Sequence, residues 1–183
     1  LASISRFEII KGPASSIYGA GLGGVIQLKP QNALLNQTHL NTALSIGSFG
    51  LIKGVVNINH GSSQNSLRAV YSNTKTDGYR ENNAYNRQTF TLNSNHFLNK
   101  KNELSFLASY VDLKAFIPSS INETDYLNNP KSAAFTWKQS QGFEDAKRGV
   151  FGISWNHDYN SNLKQASSIF TSFKNGSYTF WIL

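Results

Sequence analysis

The sequence predicts an all-β fold of about seven antiparallel strands with two unlike faces, and three observations predict it. From about residue 37 onward, short segments alternate apolar and polar side chains with period two, the periodicity of strands rather than of helices. Their connections alternate in length: short and polar at Gly61 to Asn65, Lys100 to Asn102 and Asn160 to Asn162, longer at Lys75 to Ala84 and Lys114 to Ala146. Asn, Ser, Thr and Lys interrupt every apolar run, so no window reaches the roughly 18 apolar residues of a transmembrane helix.

Taken in order, residues 1 to 31 are rich in Gly and small side chains, with apolar runs at Phe7 to Ile10 and Val25 to Leu28 around a glycine-dense centre. The alternating segments follow. Leu40, Thr42, Leu44 and Ile46 share one face, and Ile52, Gly54, Val56 and Ile58 oppose Lys53, Val55, Asn57 and Asn59. Leu67, Ala69 and Tyr71 continue the pattern, then Phe90 and Leu92, then Leu104, Phe106, Ala108 and Tyr110. Two later segments carry Phe151, Ile153 and Trp155, and Ile169 and Phe173.

Period-two alternation suits a soluble antiparallel sandwich as well as a transmembrane barrel, whose strands need only about 9 to 11 residues with one apolar face. Two details favour the membrane. The polar faces hold mainly Asn, Ser, Thr, Gln and Lys, suited to a wet lumen, and Tyr71, Tyr110, Trp155 and Tyr159 are expected near strand ends, where an interfacial aromatic girdle would sit. Acids are expected in the long connections (Asp77, Glu81, Glu123, Asp125, Glu144 and Asp145), leaving the strands nearly free of carboxylates.

Composition narrows the function classes. The 183 residues carry a formal charge of +7 from 17 basic and 10 acidic side chains. The basic residues are scattered, with no block longer than Lys100-Lys101 or Lys147-Arg148, so no nucleic-acid partner is expected. Cysteine is absent, which removes disulfides and thiolate metal sites. The start has no charged-then-apolar leader and no initiator Met, and the end is apolar; the chain reads as part of something longer.

The most specific segment is Phe7 to Ile26. Gly12-Pro13 sets a turn directly after a strand, and Gly19, Gly21, Gly23 and Gly24 allow close approach of backbone to backbone. Gly19 to Gly24 also fits the dinucleotide fingerprint G-x-G-x-x-G, but that motif needs a preceding buried strand, a following helix and an acid about 20 residues on. Ser15 to Tyr18 is a poor buried strand, Val25 to Leu28 runs into Pro30, and no acid occurs between Glu8 and Asp77.

The same segment closely resembles the end of the plug domain of TonB-dependent receptors, in which E-V-I-K-G-P-x-S-x-x-Y-G leads into a glycine cluster and G-G-V-I-N. Glu8, Lys11, Gly12, Pro13, Ser15, Tyr18, Gly19, Gly23, Gly24, Val25 and Ile26 match, and Gln27 stands where Asn is usual. Gly47 to Gly50, Asp77 to Arg80 and Phe116 to Ser120 look like barrel strands and loops of the siderophore-receptor members. The resemblance implies a plug end over residues 1–31 and the first part of a transmembrane β-barrel over 32–183, about seven strands of a barrel of about 22. It further implies a Gram-negative outer-membrane location and import of a scarce large ligand, usually a ferric siderophore. The implied partners are that ligand, outer-membrane lipid and the TonB energy-coupling complex, the last engaged through a plug segment absent here.

No catalytic constellation, metal site or cofactor is expected. His39, His60, His96 and His157 are isolated and read as strand or turn residues near an interface. The connections with mixed aromatic and polar residues are the candidate ligand surface, with Tyr79, Arg80, Phe116, Tyr126 and Trp137 as the residues suited to stacking on and hydrogen bonding with a large polar ligand. The alternative from another class is a surface or secreted β-rich binding module, an adhesin or carbohydrate-binding domain. An enzyme has the least support.

Overall fold

A computed structural model describes residues 3–12 and 23–178. Pro13, Ser15, Tyr18 and Gly19 of the plug-like motif lie outside the described residues, whereas Lys11, Gly12, Gly23 and Gly24 lie within them. Strands β1 (Ile4–Lys11) and β2 (Gly24–Pro30) form an antiparallel pair, running from Lys11 opposite Gly24 to Ile4 opposite Pro30. Seven further strands form one antiparallel meander in sequence order. They are β3 (Thr38–Gly47), β4 (Leu51–Gly61), β5 (Asn65–Thr76), β6 (Tyr85–Asn99), β7 (Asn102–Phe116), β8 (Phe143–Asp158) and β9 (Lys164–Tyr178). Helices α1 (Glu123–Asn128) and α2 (Phe135–Ser140) interrupt the connection between β7 and β8.

The β3–β9 sheet is not closed, and its burial pattern is the inverse of a soluble core. Asn59, Ser66, Arg68, Thr91, Asn93 and Asn95 are buried and lie on one side, the inner face. Leu40, Leu44, Ile58, Leu67, Phe90, Phe151 and Ile169 are exposed and lie on the other. Register makes this a continuous surface. Ile58, Ala69, Leu92, Ala108 and Phe151 are successive partners across β4 to β8, and Val56, Tyr71, Phe90, Tyr110, Gly149 and Phe173 form the next row. An apolar outer band and a polar interior meet the requirements of a lipid-spanning barrel wall, in which every backbone group is paired within the sheet.

The three connections 62–64, 100–101 and 159–163 lie at one end of the sheet, which we call the turn end, and 48–50, 77–84 and 117–142 at the other, the loop end. Each turn-end connection is closed by a side chain bonding to its own backbone. Ser62 Oγ accepts from Asn65 N at 3.0 Å, Asn99 Oδ1 from Lys101 N at 2.9 Å, and Asn160 Oδ1 from Asn162 N and Leu163 N, both at 2.9 Å. These are the local competitors that make Ser and Asn turn formers.

The strands run further than their alternation suggests. Lys75 and Thr76 end β5, Lys114 to Phe116 end β7, and Phe143 to Ala146 begin β8, so the long connections reduce to 77–84 and 117–142. Glu144 and Asp145 are therefore strand residues, joined by Glu103, Asp112 and Asp158, which corrects the expectation that strands lack carboxylates. Tyr71 and Tyr110 stand within their strands, not at the ends; β5 to β8 continue past the aromatic row as polar sheet. Backbone pairing continues as long as a neighbour supplies partners, whatever medium the side chains face. Residues before 31 contribute the two strands β1 and β2, with Val25 to Leu28 inside β2. Glu8 pairs with Arg6 at 2.9 Å and Lys29 at 3.2 Å on its own small sheet, not with the barrel wall.

Candidate functional site

The loop end is a single assembly built around the connection 77–84. At the β3–β4 tip, Phe49 and Gly50 have φ of 59° and 65°, the double left-handed conformation of a type I′ hairpin turn. Phe49 O accepts from Asp77 N at 2.8 Å and from Thr76 Oγ1 at 2.9 Å, and its ring meets Tyr79 edge-on at 5.4 Å. The other side of 77–84 grips 117–142. Arg80 donates through Nε (2.9 Å) and Nη2 (2.8 Å) to Ser132 O and through Nη1 (2.8 Å) to Ser119 O. Asn82, at φ 49°, donates through Nδ2 to Ile117 O at 2.9 Å and Gly142 O at 3.0 Å. Glu81 bonds Lys138 Nζ at 2.9 Å and accepts from Ala133 N at 3.4 Å. The Lys138 ammonium, helped by the Ala133 amide, holds the Glu81 carboxyl below the ordinary carboxylate range.

The five expected ligand residues thus fall into different environments. Arg80 is an internal clamp with its guanidinium committed to backbone carbonyls. Tyr79 carries Phe49 on its edge, with Lys131 Nζ 5.9 Å from its ring centroid. Phe116 faces outward beside Phe143 at 6.2 Å, away from the lumen. Trp137 packs against Gly142, where an added Cβ would lie 2.1 Å from Cε3. Tyr126 on α1 is open, with Leu127 and Phe135 exposed nearby in sequence. The structure therefore brings Tyr79, Arg80 and Trp137 into one assembly and places Phe116 on the outer face.

Charge on the inner face follows from the same alternation. Lys53, Arg87, Arg148 and Lys174 all lie on inward positions in the loop-end half of the sheet: Lys53 and Arg87 are each partnered with Thr74, and Arg148 with Lys174. A cleft of about 170 Å³ between Ser3 and this wall is lined by Lys53, Ser72, Thr74, Tyr85, Arg87 and Thr89. A second, of about 400 Å³, lies where Pro30 and Asn32 approach Asn93, Asn95, Glu103 and Ser105. Asn32 and Asn93 are hydrogen bonded, and Arg68 Nη1 donates to Asn59 Oδ1 at 2.7 Å. These basic inward positions were readable in the sequence once the polar face was taken as a lumen, and the loop-end contacts of Phe49, Glu81, Asn82 and Lys138 were not.

The histidines collect near the turn end. His96 lies edge-on to Phe106 at 5.6 Å, and His157 sits between Trp155 (5.5 Å) and Tyr159 (4.3 Å). Among the described residues no group of three or more His, Cys, Asp or Glu side chains could hold a metal ion, and no helix is long and apolar enough to cross a membrane.

An open meander, polar within and apolar without, with a two-stranded unit at its inner side, matches solved import receptors over nearly its whole length. No family model matches the sequence. The structure of the ferric-catecholate import receptor Fiu from E. coli K12 superposes with a TM-score of 0.78 at 20% identity, covering 96% of this chain and 29% of that one. The ferric citrate transporter FecA gives a TM-score of 0.80 at 16% identity, with 97% and 28% covered. The siderophore receptor PiuA from Acinetobacter baumannii gives 0.75 at 13% identity, with 96% and 27% covered. The fold is that of the TonB-dependent receptors. Within that TonB-dependent receptor fold the described strands are a partial barrel, and the chain spans 29% or less of the length of these three structures.

Proposed function

We propose that the chain is part of a TonB-dependent receptor of the Gram-negative outer membrane that imports a scarce, large ligand, a ferric siderophore, by energised movement of a plug. Residues 1–31 are the end of that plug and residues 32–183 the first part of the barrel. The observation that carries this reading is the inverted sheet, apolar outside and polar inside, whose inner face carries Lys53, Arg87, Arg148 and Lys174 toward the loop end. Ferric chelates are commonly anionic, and fixed cations on a wet inner wall raise the local concentration of such a ligand, although Glu144, ion-paired with Arg148 at 2.6 Å, offsets part of that charge. The likeness to receptors for ferric catecholate and ferric citrate supports the same ligand class.

In this reading ligand binds between the loop-end assembly and the plug, with Tyr79, Tyr126 and Trp137 offering aromatic surface and Arg80 holding the loops that present it. The protein performs no chemistry on the ligand. The TonB complex pulls on a plug segment outside this chain, and polar contacts such as Asn32 to Asn93 yield locally because each is individually weak. The decisive experiment is uptake of radiolabelled ferric chelates by a deletion strain carrying the whole receptor. Uptake should be lost on deletion, and it should fall several-fold in Arg87→Gln/Arg148→Gln for anionic but not neutral chelates. Equal growth of wild-type and deletion strains on every iron source tested would overturn the proposal.

A further inference from the structure

Between the two-stranded unit and the seven-stranded sheet lies a short joint that is anchored on either side. Upstream, Gln31 N donates to Ser3 O at 2.9 Å, so residue 31 moves with β1 and β2, and the ring of Pro30 fixes its φ. Downstream, Gln37 O accepts from Gly61 N at 2.7 Å and Leu34 O packs where a Gly61 side chain would stand, so residues 34–37 move with β4. Asn32 and Ala33 lie between these anchors. Among the described residues neither makes a backbone hydrogen bond to either sheet, and both side chains are short.

What holds the joint to the wall is polar. The Asn32 and Asn93 side chains are hydrogen bonded, beside a cleft of about 400 Å³, lined by Asn95, Glu103 and Ser105, that gives water access to both amides. An amide bond exchanged for bonds to water gives up little free energy. The pairing of β1 with β2, in contrast, runs over seven residue pairs and is reinforced by Glu8 with Arg6 and Lys29, and such a ladder opens cooperatively. A pull on the unit therefore yields first at Asn32 and Ala33, where backbone angles turn without breaking a backbone bond.

We infer that Asn32 and Ala33 form a hinge, latched by the bond between Asn32 and Asn93, about which β1 and β2 swing as one body while residues 34–37 stay on β4. The inference rests on the plug reading above and adds where the plug end yields and what remains fixed. The hinge arm is short. From residue 31 to residue 34 the chain extends to at most about 11 Å, so the swing re-aims the unit and keeps its near end at the wall.

The test uses the whole receptor, freed of any other cysteine, in cells. Asn32→Cys/Asn93→Cys is joined by a short bis-methanethiosulfonate that reductant cleaves. In the joined state it should bind ferric chelate as wild type does and import it about ten-fold more slowly or worse, because a blocked gating step limits turnover. Reduction should restore uptake. Thr38→Cys/His60→Cys, joined likewise across paired positions of β3 and β4, should import at the wild-type rate. Ala33 is buried, so thiol labelling of Ala33→Cys should be slow at rest and quicken about ten-fold when chelate and an energised TonB complex are both present, as local opening predicts. Full uptake with positions 32 and 93 joined overturns the hinge, and so does Ala33→Cys labelling that ignores chelate. Loss of uptake in both joined variants overturns the fixed placement of residues 34–37. Wild-type cells that import no ferric chelate overturn the import reading itself, and the hinge with it.

Discussion

At the scale of single residues, the loop end depends on a few side chains that satisfy backbone carbonyls a regular strand would have paired. Asn82 does this for Ile117 and Gly142 while tolerating φ 49°, a conformation that Asn adopts more readily than most residues. Asn82→Ala and Asn82→Gly should both loosen the 117–142 connection by roughly 1 to 3 kcal/mol, read as faster amide exchange at Ile117 and Gly142. Glycine removes the strain but not the lost donor, so wild-type exchange in Asn82→Gly would mean that backbone angle alone is at stake. Glu81 adds a pH dependence. Its folded carboxyl titrates below the ordinary range because of Lys138 and the Ala133 amide, so its contribution is present above that range and is lost as pH falls through the lowered value. Protection of the Ala133 amide should therefore be level near neutrality and collapse on acidification, while Glu81→Gln shows weaker, pH-independent protection. None of these partners is visible in the sequence, because Arg80 and Ser132 lie on different connections and meet only when β6 and β7 align.

At the scale of elements, a close backbone crossing ties the segment before β3 to the turn end of β4. Gly61 N donates to Gln37 O at 2.7 Å, and an added Cβ at Gly61 would lie 2.0 Å from Leu34 O. Gly54, on the outer face of the same strand, has open space around its Cβ position. Gly61→Ala should destabilise the folded protein by about 1 to 3 kcal/mol, the usual cost of forcing atoms into a filled site, whereas Gly54→Ala should be nearly neutral. Urea midpoints of the whole receptor in micelles check both, and equal midpoints would show that segment 34–37 yields freely. The strands themselves were largely legible, since alternation at Leu40 to Ile46 or Leu104 to Tyr110 reports both element and face. Their loop-end limits were not: past Tyr110 the side chains Asp112 and Lys114 look like loop, yet backbone pairing to β6 and β8 carries on.

At the scale of the whole molecule, the sheet works by reversing the soluble rule. Phe151 stands in the middle of the apolar band and Ser172 faces the lumen on the adjoining strand. Phe151→Arg should cost about 2 to 4 kcal/mol of folding into bilayers, as a cation at mid-depth does on a barrel exterior, and Ser172→Arg should cost little. Folding yield into vesicles, followed by heat-modified mobility, measures the difference; comparable yields would mean the two faces are not lipid and water.

Period-two alternation determined strand identity, the two unlike faces and the short turns by itself, because a side chain's direction in a strand follows from its position alone. The Phe7 to Ile26 segment pointed to the receptor fold only through the likeness of its residue order to the plug end of TonB-dependent receptors. Only the tertiary structure decided that Phe116 faces outward, that Arg80 clamps rather than presents itself to a ligand, and that Lys53, Arg87, Arg148 and Lys174 gather at the loop end. Those outcomes depend on register between strands and on contacts between residues dozens of positions apart, and a linear pattern carries no information about which strand row meets which.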